Sequence, residues 1–201
     1  MAALGLLLGW LIFTPNPPET DSVDAGFARD MSEHHAQAVE MSLIALRNSE
    51  TTDIDLLAYD IATTQSTQIG TMQGWLQQWD LPSARPGPRM AWTPETNTPS
   101  MDLDPTAEPG TPDFSAMPGM ATSAELEQLQ QATGTGSDIL FLQLMITHHI
   151  AGIDMAQAAV DTADTPEVTR LAQAMVDGQT SEIGLMTDLL TTRDATPRDT
   201  P

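Results

Sequence analysis

All four histidines of this 201-residue chain fall in two adjacent pairs, His34-His35 and His148-His149. The surroundings of the pairs match. One copy reads FARDMSEHHAQAVEM from Phe27 to Met41, and the other reads FLQLMITHHIAGIDM from Phe141 to Met155. Met31 and Met41 flank the first pair, and Met145 and Met155 flank the second; an acid, Glu40 or Asp154, precedes each closing methionine. Imidazole is the commonest side-chain metal ligand and titrates near neutrality. Imidazole beside thioether is the donor set of a soft metal, copper above all, with Cu(I) tolerating methionine best. Neutral imidazole also accepts zinc or iron, so the residue types favour copper without forcing it. Such binding weakens as acid protonates the rings.

These residues need elements to position them, and the chain supplies the elements twice. Residues 27–76 align with 141–190 at a constant offset of 114, without a gap and with 14 identities in 50 positions. An internal duplication of this kind sets the architecture. In each half, apolar residues recur at steps of three and four, which is one face of a helix. The spacing predicts helices over about Asp24–Arg47, Asp53–Trp79, Ser137–Asp161 and from Thr165, as N-cap before Pro166, to near Thr192. A short helix capped by Ser123 precedes the second hairpin. The expectation is an all-α fold: a four-helix bundle of two duplicated helical hairpins joined by a long Pro-rich connection. Its parts are hairpin one at 24–80, a connection at 81–122, a short helix at 123–133 and hairpin two at 136–192. The bundle domain spans 21–192, and the tail 193–201 is expected to be disordered. The connection holds nine of the fifteen prolines and also Met90, Met101, Met117 and Met120.

On a wheel turning about 100° per residue, Met31 and Met41 share a narrow stripe with His34. His35 sits about 100° away, on a shoulder that points toward a neighbouring helix. The second half repeats this with Met145, Met155, His148 and His149. On the second helices Gln65 with Met72, and Gln179 with Met186, occupy the inner stripe. Gln65 and Gln179 are placed to hydrogen-bond imidazole across the bundle. Glu40 and Asp154 lie well round from the inner histidines, facing solvent or supporting the ligands from behind. A methionine at helical spacing also packs a core, so each of these thioethers reads both as packing and as ligand.

Bulk composition narrows the partners. The net charge is −21, and all seven basic residues are arginine. Such a surface repels phosphate backbones, so nucleic acid is not an expected partner, whereas cations are drawn to it. There is no cysteine, which removes disulfides and thiolate sites. Residues 1–13, MAALGLLLGWLIF, are an uncharged apolar run followed by a Pro-rich tether to about residue 20. The run suits a signal segment or part of a membrane anchor, which places the remainder outside the cytoplasm.

The pattern F-x3-M-x2-HH-x4-[E/D]-M in both halves, Q-x2-[Q/E]-I-x2-M at Gln65–Met72 and Gln179–Met186, and the segment Met117-Pro118-Gly119-Met120 together resemble the bacterial family called domain of unknown function 305. The resemblance covers about residues 24–192. It implies a ferritin-like four-helix fold, secreted or membrane-tethered, with copper binding and copper tolerance in some relatives. Carried over position by position, it implies Met31, His34, His35, Met41, Met72, Met145, His148, His149, Met155 and Met186 as metal ligands. Glu182 keeps the acid of the family pattern, as a ligand or as a group supporting the ligands, and Gln68 departs from it, so the two halves differ there.

Three functions fit these residues. The foremost is a non-enzymatic, extracytoplasmic metal-binding protein, for copper, acting in sequestration, buffering or delivery. A di-metal ferritin-like oxidoreductase is second, but its sites want Glu-x-x-His, and neither His pair has Glu three residues upstream. The third is a helical interaction module whose His pairs form structural hydrogen bonds or sense pH.

Overall fold

Among the described residues the repeated three-and-four spacing builds four long helices and one short one. The computed structural model describes residues 16–93 and 117–198, and the apolar run at 1–13 and Met101 lie outside them. The helices are α1 (Val23–Asn48), α2 (Thr52–Gln78), α3 (Ser123–Gln131), α4 (Gly134–Thr162) and α5 (Pro166–Thr191), with no strand among the described residues. α1 packs on α2 and α4 on α5 as two hairpins. The hairpins meet through α1 and α4, the two helices that carry the His pairs. α3 lies against α1 and α4, whereas α2 and α5 make little contact with each other. The all-helical bundle expected from the duplication is therefore what the chain forms.

Local chemistry sets the helix ends. Ser22 caps α1, its side chain accepting from the Ala25 amide at 3.2 Å. The cap of α3 is Thr122 rather than Ser123: Thr122 and Glu125 form a reciprocal capping box. Only a residue just outside the helix can turn its oxygen onto the amide three positions on, and Ser123 is already the first helical residue. α5 begins with Pro166 as expected, but the Thr165 side chain makes no cap bond. Its backbone amide instead donates to Asp24 of the other hairpin at 2.9 Å. The duplication repeats this clamp, with Thr51 donating from its hydroxyl to Asp138 at 2.9 Å. Each half thus anchors the turn of the other through a buried carboxylate.

The start of the tail departs from the disorder expected of it. Arg193 donates to Asp138, Asp53 and Thr51, and Arg198 pairs with Glu125 at 2.5 Å. The cause is electrostatic: two of only seven bases meet a strongly acidic surface and a buried Asp138 that needs a partner.

Two apolar clusters fill the bundle, one toward each end. One contains Met41, Ile61, Phe141, Met145 and Met186, and the other Phe27, Met31, Met72, Met155 and Met175. The pseudo-twofold relation swaps the clusters, so along α1 Met31 belongs to one and Met41 to the other. Along α4 the order is Met145, then Met155. The His pairs lie between these methionines on both helices, at the boundary of the two clusters. α4 is apolar and long enough to cross a bilayer, but 61% of its most apolar window is buried in the bundle, so its composition serves the core.

Both described ends of the Pro-rich connection are fixed to α1. The buried Asp30 carboxylate accepts from the Met90 amide at 2.7 Å and the Trp92 indole at 2.9 Å, and pairs with Arg85 at 2.9 Å. Burial pushes the Asp30 carboxyl up, against the opposing pull of the Met90 amide, Arg85 and Trp92. Glu33 binds Arg85 and Arg89 beside it. At the other end Gln37 grips the Ala121 backbone twice, at 2.7 and 2.9 Å. These contacts bury Met90 and Met117 against the cluster that holds Met31, with Met120 partly buried beside them.

Candidate metal centre

The inner histidines meet where α1 crosses α4. The rings of His34 and His148 stack with centroids 3.7 Å apart and planes at 29°. The shoulder histidines turn outward to the second helices, as the wheel predicts. His35 Nε2 lies 2.7 Å from Gln68 Oε1 on α2, and His149 Nε2 lies 2.7 Å from Glu182 Oε2 on α5. The spacing is 33 residues in both cases, so the two contacts are mates under the duplication. His148 Nε2 donates to the His34 backbone carbonyl at 3.0 Å.

Only acceptor oxygens face Nε2 of His35, His148 and His149, so each of these rings carries its proton there and keeps a lone pair at Nδ1. Nδ1 of His35 and of His149 has no hydrogen-bond partner among the described protein atoms, and neither ring nitrogen of His34 has one. The Pro118 carbonyl lies close enough to His34 to favour its protonated form without completing a hydrogen bond. A buried polar atom left unpaired costs about 1–3 kcal/mol. An imidazole held at one nitrogen by carboxylate or carbonyl, with the other nitrogen free, is the arrangement found at metal-ligating histidines.

Burial keeps His34, His35 and His148 neutral. It is the main cause of the lowering of His34 to about 3, with His35 and His149 adding like-charge repulsion. His35 falls to about 4, again chiefly by burial, while Gln68 pulls the other way. His148 is driven well below the usual range by burial and then by His34. These three rings therefore need lose no proton to bind a metal at neutral pH.

Met31, Met41, Met72, Met145, Met155 and Met186 are all buried in the two apolar clusters flanking the rings. Two predicted roles move. Gln65 and Gln179 are buried but make no hydrogen bond to imidazole; Gln65 leaves both amide atoms unpaired and Gln179 its Oε1. Gln68 and Glu182, one turn further on, hold the rings instead. Glu40 and Asp154 are exposed and stay away from the rings, about 120° round the helix from the inner histidines. Asp154 instead lines a surface pocket of about 280 Å³ with Met90, Pro118 and Met155.

The segment Met117-Pro118-Gly119-Met120 covers α4 at His148. Gly119 has φ +72°, and a Cβ there would meet Ala151 Cβ at 2.5 Å and the Thr147 carbonyl at 2.8 Å. Only glycine fits, for reasons of conformation and of space. Sequence periodicity could not have found this cover; the MPGM motif was the signal for it.

Among the described residues, no three of His, Asp and Glu converge to hold a metal. The stacked rings present faces to each other rather than two lone pairs to one point. A donor set of imidazole completed by thioether fits the residues present better than a three-histidine zinc site. Among the described residues Glu182 is the one carboxylate that contacts the rings, short of the set a di-iron site needs.

Comparison with known proteins agrees with this architecture. The sequence profile of the family described as Domain of unknown function (DUF305) matches residues 24–190. A DUF305 protein of Streptomyces coelicolor, described as a candidate secreted protein, superposes with a TM-score of 0.77 at 42% identity, over 90% of this chain and 99% of that one. A DUF305 fragment from Deinococcus radiodurans gives 0.67 at 29% identity, over 89% and 99%. CopM in its Cu(I)-bound form gives 0.62 at 24% identity, over 84% and 96%, a likeness of fold; CopM has also been solved with Cu(II) and with silver. No curated protein matches the sequence. With its duplicated His pairs, its helical bundle and a profile match across nearly the whole of it, the chain belongs to the DUF305 family.

Proposed function

We propose that this protein binds a soft metal ion, copper foremost, outside the cytoplasm, and that it sequesters, buffers or delivers the ion without catalysing a reaction. One observation carries the reading. Buried imidazoles gather at the boundary between two methionine-bearing clusters, with Nε2 engaged on three of them and ring nitrogens left without partners. His34, His35, His148 and His149 would hold the ion with a subset of Met31, Met41, Met72, Met145, Met155 and Met186, and Gln68 and Glu182 would orient the shoulder rings. Copper or silver bound to CopM, a protein of the same fold, supports the reading. The location rests on the apolar N-terminal run and on the S. coelicolor relative described as a candidate secreted protein.

The test is equilibrium titration with Cu(I), Cu(II) and Zn(II), against a variant with all four histidines replaced by alanine. The expected result is Cu(I) binding tighter than Zn(II), lost in the variant by at least about 100-fold. Equal affinity in wild type and variant overturns the reading. An Fe(II)-dependent oxygen-consumption assay addresses the oxidoreductase alternative, and no consumption above the metal blank is expected.

A further inference from the structure

The connection closes one side of the histidine cluster, over α1 and α4, and the other side is open. α2 and α5 stand apart there, and between them runs a cleft of about 70 Å³. Its walls include Gln65, Gln68, Met175, Gly178, Gln179 and Glu182. Gln68 and Glu182 are the residues that hold Nε2 of His35 and His149, so the cleft ends one side chain short of the shoulder imidazoles. Beside them, Gln65 is only 3% exposed, and neither atom of its amide has a partner; the Gln179 carbonyl oxygen is likewise unpaired. Unpaired buried amides are costly and imply a polar occupant of this space. Glu182 is the one formal charge on the walls, and it is negative. Met175 adds a buried thioether that breaks the duplication, since Ile61 stands at its mate position.

We propose that this cleft is the port through which a small cation reaches the histidines. The Gln65 carbonyl oxygen, the Glu182 carboxylate and the Met175 thioether hold the ion in passing, while the Gln179 oxygen lies against Gly152. The assignment rests on the metal-binding reading and adds the route to it. The volume suits an ion with a few waters and excludes a bulky chelate. On the covered side Gly119 packs against Ala151 and the Thr147 carbonyl, and Gln37 grips Ala121, so the connection lies directly on α4 at His148. No bond is made or broken in the passage except exchange of the ion's own ligands.

The test separates rate from affinity. A Cβ at Gly178 meets nothing within 4 Å, so Gly178→Trp starts from an open position on the cleft wall, and Thr64→Trp narrows the cleft from the facing wall. Gly184→Trp, equally free of neighbours and outside the cleft, is the control. The full chain is mixed with Cu(I) supplied in acetonitrile, and loading is followed by stopped-flow tryptophan fluorescence. Affinity is measured separately by competition with a chromophoric chelator. The expected result is loading slowed by about 10-fold or more in both cleft variants, with affinity within about 3-fold of wild type and the control unchanged. Melting curves establish that each variant is folded. Wild-type loading rates in both folded cleft variants overturn the port and leave the metal site standing. Absence of Cu(I) binding by the wild type overturns the metal reading itself, and the port with it.

Discussion

Acid should unfold the metal-free protein in a pH range where its carboxylates are not yet titrating. His34 and His35 change from about 6.5 in the free chain to about 3 and about 4 in the fold, chiefly by burial. Between those values the unfolded chain binds more protons than the folded one, so stability falls as pH drops below about 6.5 and the loss levels off near the folded values. At about pH 5 each ring costs about 2 kcal/mol, so the pair costs about 4 kcal/mol, and His148 adds to it in the same direction. Asp53, held down to about 2 by Arg193, contributes only at lower pH. For a domain of this size, about 4 kcal/mol lowers the melting temperature by about 8–16 °C. The assay is thermal unfolding of chelator-treated protein by circular dichroism from about pH 7.5 to pH 5. His34→Phe, which cannot titrate, should remove about half of the slope contributed by the pair. A melting temperature that moves by less than about 2 °C over this range, or His34 and His35 proton resonances that titrate near 6.5, would refute the reasoning.

Other perturbations follow from the same geometry. Glu182→Ala leaves the buried Nε2 proton of His149 unpaired; about 1–3 kcal/mol of stability should go, and about 10–100-fold in Cu(I) affinity, read by urea titration and chelator competition. Gly119→Ala sets a Cβ against Ala151 and the Thr147 carbonyl at a positive φ, and should cost about 3 kcal/mol by urea unfolding. Asp30→Ala breaks a buried pair with Arg85 and frees the Met90 amide. A loss of about 3–5 kcal/mol is expected, together with faster proteolysis of the connection near Met90.

The readable parts of the chain were those carried by period and repetition. His34 and His148 could be placed on matching inner stripes because one offset aligns both halves, and the wheel alone turns His35 and His149 toward the neighbouring helices; that the two inner rings stack is seen only in the fold. The partners of those shoulder rings were harder to identify. Gln65 and Gln68 differ by about 60° on the wheel, and only the rotation of α2 against α1 decides which reaches the ring. That rotation comes from packing of the whole bundle, which no local pattern encodes. The cover was less legible still. Asp30 and Gln37 are single polar residues whose partners lie 60 and 84 positions away in sequence, in a segment without a period. Nothing in the sequence of the connection therefore marks Met90 and Met117 for the buried positions they take. Arg193 likewise gave no sign in a polar tail that it would satisfy Asp138.

The most direct test of the central claim is X-ray absorption at the copper edge of the Cu(I)-loaded protein. Imidazole nitrogen together with thioether sulfur around the ion is predicted, and the imidazole scattering should disappear when all four histidines are replaced. A shell of oxygen donors alone, or the same spectrum from wild type and the four-histidine variant, would contradict it.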